Sequence, residues 1–256
     1  MKHWRINLLI LTIACCTTIG YALYNYYAPP IEQQSYHIPS YEEDTLRIAY
    51  IGDSWAFMHK DHNCLIAKIL EESLHRPVKV HSYGICGLTS KEIYENLIEN
   101  ADMKNYMKKR HYDICFISAG INDTYKKMST DYYKTSMNYI IQFMLANNIR
   151  PIILEIPDYD IMKAYDLQRT ERKLLRRISM FITGTQMDCK QVFRNVLRNL
   201  IREEKYHHLV DVIDYKEWNN NMEDDLRQFY NSDGLHLNQK GYMKLDSVIA
   251  KHIVNN

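Results

Sequence analysis

The sequence predicts an α/β domain with a central, mostly parallel sheet and helices on both faces, preceded by an N-terminal hydrophobic anchor. Three observations lead there. Short apolar runs rich in strand formers alternate with stretches of helical periodicity. One run, Asp113 to Ala119, is almost continuously apolar, as in a strand covered on both faces. Glycine is scarce, 8 in 256 residues, and six of them (Gly52, Gly84, Gly87, Gly120, Gly234 and Gly241) lie in or beside segments that end a strand or open a helix.

Residues 1–27 read as a signal anchor or signal peptide. Lys2 and Arg5 precede an uncharged run from Ile6 to Leu23. As a helix that run spans roughly 27 Å, close to the hydrocarbon core of a bilayer. Tyr21, Tyr24, Tyr26 and Tyr27 follow where an aromatic belt would lie. The charge order predicts an inside N-terminus and an exported, extracytoplasmic domain. An uncleaved anchor, a cleaved signal peptide and a lipoprotein lipidated at Cys15 all fit, although apolar residues continue past Cys15 and no small-x-small site is clear. Residues 28–43, with Pro29, Pro30 and Pro39, read as a tether.

The domain, residues 44–256, then alternates. Strands are expected at Leu46–Ile51, Pro77–Ser82, Asp113–Ala119, Pro151–Ile156 and Leu209–Ile213. Helices are expected at Cys64–Leu74, Ser90–Ile98, Asp131–Asn147 and Gln239–Ile253. The long segment at about 158–207 reads as a helical insertion. It holds eleven Lys/Arg against seven Asp/Glu. Arg169, Arg172, Lys173, Arg176 and Arg177 recur at helical spacing, with Leu174, Leu175, Ile178 and Phe181 as an apolar counterface. The plain reading is a solvated basic face. The sharper one is a basic wall for an anionic glycan or anionic lipid.

Composition excludes several classes. Apolar residues are 46% and charged residues 25%, which gives a real core and excludes disordered and collagen-like chains. A mean hydropathy of -0.43 excludes a multi-span membrane protein. A net charge of +1 offers no basic excess, so no nucleic-acid partner is expected. Six Cys are too few for a disulfide scaffold. Cys64, Cys86, Cys115 and Cys189 are candidate buried thiols, of which an exported domain could oxidise a pair; the pairing stays open. Neither a Walker pattern nor GxGxxG occurs.

Ligands of such sheets bind beyond the carboxyl ends of the strands. Four segments lie there or at a helix entrance: Gly52-Asp53-Ser54-Trp55, Gly84-Ile85-Cys86-Gly87-Leu88-Thr89-Ser90, Gly120-Ile121-Asn122-Asp123 and Asp233-Gly234-Leu235-His236-Leu237-Asn238. A serine hydroxyl is a weak nucleophile and needs a base. An imidazole, as in His236, takes and returns a proton near neutral pH. A carboxylate three residues earlier, Asp233, is spaced to reach that ring and fix its tautomer.

These four segments, in this order, resemble the SGNH hydrolases, also called GDSL-like esterases and lipases. The resemblance runs from Leu46 to the C-terminus. It implies a flavodoxin-like three-layer α/β/α sandwich and a serine ester hydrolase needing no cofactor and no metal. It implies catalytic roles for Ser54 (nucleophile), His236 (base) and Asp233 (orienting acid). It also implies an oxyanion hole from the N–H groups of Ser54 and Gly87 and the Asn122 amide; Gly87 is preferred to Gly84 because Gly-Leu-Thr-Ser matches the family's Gly-Asp-Thr-Ser. Trp55, Leu88 and Leu237 depart from the family's usual Leu, Asp and Pro, which bears on substrate preference. Trp55 and Asp123 are the candidate substrate-binding residues. The resemblance to bacterial envelope and surface-polysaccharide members suggests an acetyl ester on a glycan as substrate. O-acyltransfer through the same residues, lipase or thioesterase activity, and non-catalytic glycan binding are the alternatives.

Plainer roles exist for single residues. Ser54 suits a helix cap, Asp233-Gly234 a turn, His236 an exposed surface and Asn122-Asp123 an Asx turn. Asn238 suits the cap of the last helix, and Asp53 a structural hydrogen-bonding role. His59-Lys60-Asp61-His62 suggests a metal pair but offers no third ligand.

Overall fold

Five strands form one sheet in the order β2-β1-β3-β4-β5, with every pairing parallel: β1 Leu46–Gly52, β2 Val78–Gly84, β3 Ile114–Ser118, β4 Arg150–Leu154 and β5 Asp211–Ile213. The structure, a computed structural model, describes residues 2–30, 32–39, 43–59, 63–217 and 222–255. Every residue of β3 is buried, as its nearly continuous apolar run predicts. In register, Gly52 at the end of β1 stands between Gly84 of β2 and Ser118 of β3.

Helices cover both faces. α3 (Asn63–Leu74) packs on β2 and on the closing helix α12 (Gln239–Asn255). On the opposite face α7 (Thr130–Ala146) packs between α4 (Ser90–Ile98) and α10 (Lys190–Ile201), and α5 (Ala101–Lys108) packs on α4. The amphipathic patterns explain the layers: Ile140, Ile141, Phe143 and Met144 of α7 and Phe193, Leu197 and Leu200 of α10 are buried. α4 opens with a capping box in which Thr89 and Glu92 satisfy each other's backbone N–H. Asn238 caps α12 by accepting the Gly241 N–H at 3.0 Å.

The chain leaves β1 toward β2 on one side and β3 toward β4 on the other, so a crevice opens between the carboxyl ends of β1 and β3. Two short helices begin there, α2 (Ser54–His59) after β1 and α6 (Ile121–Lys126) after β3. Gly84 lets α2 cross β2 in backbone contact. A Cβ at Gly84 would stand 2.3 Å from the Phe57 nitrogen and 2.4 Å from the Asp53 oxygen.

The N-terminal run is one helix, α1 (Lys2–Tyr27), long and apolar enough over Trp4–Tyr27 to cross a membrane. Its last turn touches the domain: the Tyr26 carbonyl accepts the Ser129 N–H at 3.1 Å, and the Lys91 ammonium lies 5.0 Å from the Tyr24 ring centre. The described part of the expected tether is also packed. Ile38 is buried and gives its N–H to Asn147 Oδ1 (2.7 Å), while Tyr36 donates to the Leu97 carbonyl (3.0 Å). Apolar and aromatic side chains scattered among the prolines make that attachment.

In the basic helix α9 (Thr170–Thr183), Arg172 and Arg177 are exposed as a solvated basic face predicts, but the inner side is not the apolar counterface. Leu174, Leu175, Ile178 and Phe181 are exposed, and Arg176 and Ser179 face inward. The Arg176 guanidinium carbon lies 3.4 Å from the Tyr125 ring centre, and Nε–H donates to Gln168 Oε1 (2.7 Å). An aromatic ring and an amide thus accept a cation where the pattern suggested leucines.

Candidate active site

Ser54 is the first residue of α2, delivered by the end of β1, and only 6% of its surface is exposed. His236 comes from the loop before α12. Its Nε2 lies 3.0 Å from Ser54 Oγ, and its Nδ1 lies 2.6 Å from Asp233 Oδ2. The other Asp233 oxygen accepts the N–H groups of Leu235 (2.9 Å) and His236 (3.0 Å). The Asp-Gly turn therefore folds the carboxylate under its own imidazole. Burial pushes the Asp233 carboxyl up, but these hydrogen bonds from His236 and Leu235 outweigh it and hold the group below its ordinary value. Nδ1–H donating to Asp233 leaves Nε2 free to accept the Ser54 proton.

Asn122 sits in the first turn of α6 and donates from Nδ2 to Asp53 Oδ2 at 3.1 Å. An amide nitrogen carries two protons, so this bond orients the second one. Gly87 follows β2 in the left-handed region (φ 83°), where a side chain would be strained. Ser54, Gly87, Asn122, Asp233 and His236 line one cleft of about 680 Å³.

The four segments are tied to one another. Asp53 is fully buried, accepts the Trp55 N–H at 3.0 Å and holds Asn122. Asp123, also buried, accepts the Ser90 N–H (2.8 Å) and hydroxyl (2.6 Å) and so joins α6 to α4. Burial pushes Asp53 up to about 7 and Asp123 up to about 6, against the bonds each accepts. The Trp55 indole N–H donates to the Leu235 carbonyl at 3.2 Å, joining the Ser54 and His236 segments. Trp55 and Asp123 thus hold the frame; neither lines the cleft.

His59 is buried, with Nδ1 2.9 Å from Ser82 Oγ and Nε2 2.5 Å from Asp246 Oδ1, so both ring nitrogens are engaged within the protein. Lys60, Asp61 and His62 of the suggested metal pair lie outside the described residues. Cys86 is exposed, while Cys115 and Cys189 are buried; the Cys64 side chain lies outside the description.

The profile of the GDSL-like Lipase/Acylhydrolase family matches residues 50–244. The chain belongs to this family. It is an ester hydrolase by that membership. No curated protein matches it by sequence. Among solved structures it is similar to a lipase/acylhydrolase from Enterococcus faecalis, at 18% identity over 82% of this chain and 96% of that one, with a TM-score of 0.54. It is also similar to Axe2, an acetylxylan esterase from Geobacillus stearothermophilus, at 16% identity over 81% and 94%, again with a TM-score of 0.54. These likenesses establish the SGNH-like α/β fold of the GDSL-family chain.

The segment read as a basic wall borders the cleft, beside Tyr125 and Gln168, which no motif singled out. Tyr125 of α6, Gln168, and Arg169 and Arg172 at the start of α9 line it. The spacing of the basic residues singled out that helix.

Proposed function

We propose that the protein is a serine esterase that removes small acyl groups, acetyl in particular, from a carbohydrate. The observation that carries this reading is the hydrogen-bonded series Asp233–His236–Ser54, at 2.6 and 3.0 Å, in a cleft that also exposes Gly87 and Asn122. Ser54 Oγ attacks the ester carbonyl carbon as its proton passes to His236 Nε2. The oxyanion lies among the N–H groups of Ser54 and Gly87 and the Asn122 amide. The tetrahedral species collapses, the ester C–O bond breaks, and His236 returns the proton to the leaving alkoxide. Water then attacks the acyl-enzyme with His236 as base, releasing the acid and regenerating Ser54.

Glycan deacetylation rests on analogy: the acetylxylan esterase shares the fold, and the cleft is open enough for a sugar. Trp4–Tyr27 is read as an anchor that holds the domain on the extracytoplasmic face of a membrane, supported by its length and apolarity. A fluorophosphonate tests the nucleophile. The adduct maps to Ser54 by mass spectrometry if the assignment holds, and an adduct on another side chain of active enzyme overturns it.

A further inference from the structure

Beside the catalytic cleft lies a second depression of about 480 Å³, lined by Tyr26, Cys86, Gly87, Lys126, Arg172 and Arg176 among others. Cys86, Gly87 and Arg172 line both, so the two are continuous along the side of the cleft where Gly87 stands. No carboxylate is among the described residues that line the second one. Lys126 shares its charge with Glu92 at 3.1 Å. Among the described residues the Arg172 guanidinium has neither an ion pair nor a hydrogen bond. Arg176 is buried over Tyr125 with Nε bound to Gln168, and its Nη1 has no acceptor among the described residues. That nitrogen is closed off from solvent, so the exposed Arg172 guanidinium is the group that can meet a ligand oxygen, and Arg176 adds its charge from behind.

We propose that this depression is a subsite for an anionic group of the substrate, a carboxylate or a phosphate, attached near the scissile ester. The inference rests on the reading of Ser54 as the nucleophile. A guanidinium presents a planar fork of donors that matches both anions. Arg172 stands at the junction and Arg176 behind it, at i and i+4 on α9, so one helix face supplies both cations. Arg169 adds a further cation on the wall of the catalytic cleft itself. An apolar or neutral glycan would leave Arg172 without an anionic partner. Tyr26, from the last turn of α1, also lines the depression, so the subsite lies beside the end of the hydrophobic helix. The anionic group therefore has two sources, a soluble acidic glycan or a lipid-linked phosphate at the membrane surface.

The test uses the full-length protein in nanodiscs. Specificity constants are measured for acetyl esters of methyl glucoside, methyl glucuronide and glucose 6-phosphate, and for an acetylated sugar on a lipid phosphate in vesicles. The charged esters are expected to exceed the neutral one by about tenfold or more, through KM. Arg172→Gln collapses that ratio toward one, and Arg172→Lys keeps part of it. Preference for the vesicle substrate over the soluble charged esters assigns the lipid source, and the reverse assigns the acidic glycan. Binding of inorganic phosphate, followed by calorimetry, is expected to weaken about tenfold in Arg172→Gln. Equal turnover of neutral and charged esters by wild type, lost in Ser54→Ala, overturns the subsite and leaves the esterase reading intact. Phosphate binding that is absent, or unchanged in Arg172→Gln, overturns the subsite whatever the enzyme hydrolyses. Failure to hydrolyse any ester, with Arg172-dependent phosphate binding present, counts against the esterase reading and keeps the anion site.

Discussion

The buried carboxylate of Asp53 accepts the Asn122 amide at 3.1 Å, so the residue before the candidate nucleophile holds a candidate oxyanion donor. Asp53 is fully buried, and its carboxyl is raised from 3.8 to about 7, chiefly by burial. A folded value above the unfolded one means that its contribution favours folding below the unfolded value. That contribution is lost as pH rises through the folded value. Asp123, raised to about 6, acts in the same direction. Asp233, held below its ordinary value, acts oppositely and contributes stability that is lost as the pH falls. Asp53→Asn removes one titration. Urea melts between pH 4 and 8 are expected to show a smaller loss of stability with rising pH in Asp53→Asn than in wild type. Equal slopes would remove Asp53 from the account.

Asn122→Ala deletes the amide while leaving Ser54 and His236 in contact. The expected loss in kcat is about 10²–10³-fold, with KM little changed, because the amide acts on charge that develops only in the transition state. A loss confined to KM would mean that Asn122 binds the ground state instead.

Trp55→Phe keeps a ring but removes the indole N–H that reaches the Leu235 carbonyl. Thermal and chemical unfolding should show a loss of about 1–3 kcal/mol from the vacated space and the unpaired carbonyl. The His236 segment should loosen with it, visible as faster amide exchange at Leu235 and His236. Unchanged exchange would mean that other contacts hold that segment.

Gly84→Ala tests the backbone crossing of α2 over β2. The added Cβ would fall 2.3 Å from the Phe57 nitrogen, so backbone must move. Destabilisation of about 3 kcal/mol or more is expected. Full stability in a denaturant melt would contradict the contact.

The sheet was largely legible because its strands are buried runs closed by glycine or a polar turn. The strand expected at Leu46–Ile51 is β1, Leu46–Gly52, and the helix expected at Ser90–Ile98 is α4 with the same bounds. The helices α2, α6 and α8 (Ile161–Asp166) were not legible, since six residues carry less than two turns of periodicity. Periodicity placed Arg172 and Arg177 of α9 at the surface correctly but misjudged its inner side. It gives the faces of a helix but not which one turns inward, and here Tyr125 and Gln168, distant in sequence from Arg176, decide it. The segment at 34–38 reads as tether by its polar and proline-rich neighbours, yet Tyr36 and Ile38 dock on α4 and α7. At the candidate site, Ser54, Asn122, Asp233 and His236 stand out by their motifs. Arg172 gains its meaning only from the fold that brings α9 beside Gly87.

The most direct measurement is acetate release by the full-length protein from an aryl acetate and a panel of acetylated oligosaccharides, with wild type and Ser54→Ala side by side. Release by wild type is expected, with a fall of at least about 10⁴-fold in Ser54→Ala of unchanged stability. Release that persists in Ser54→Ala would contradict the nucleophile assignment.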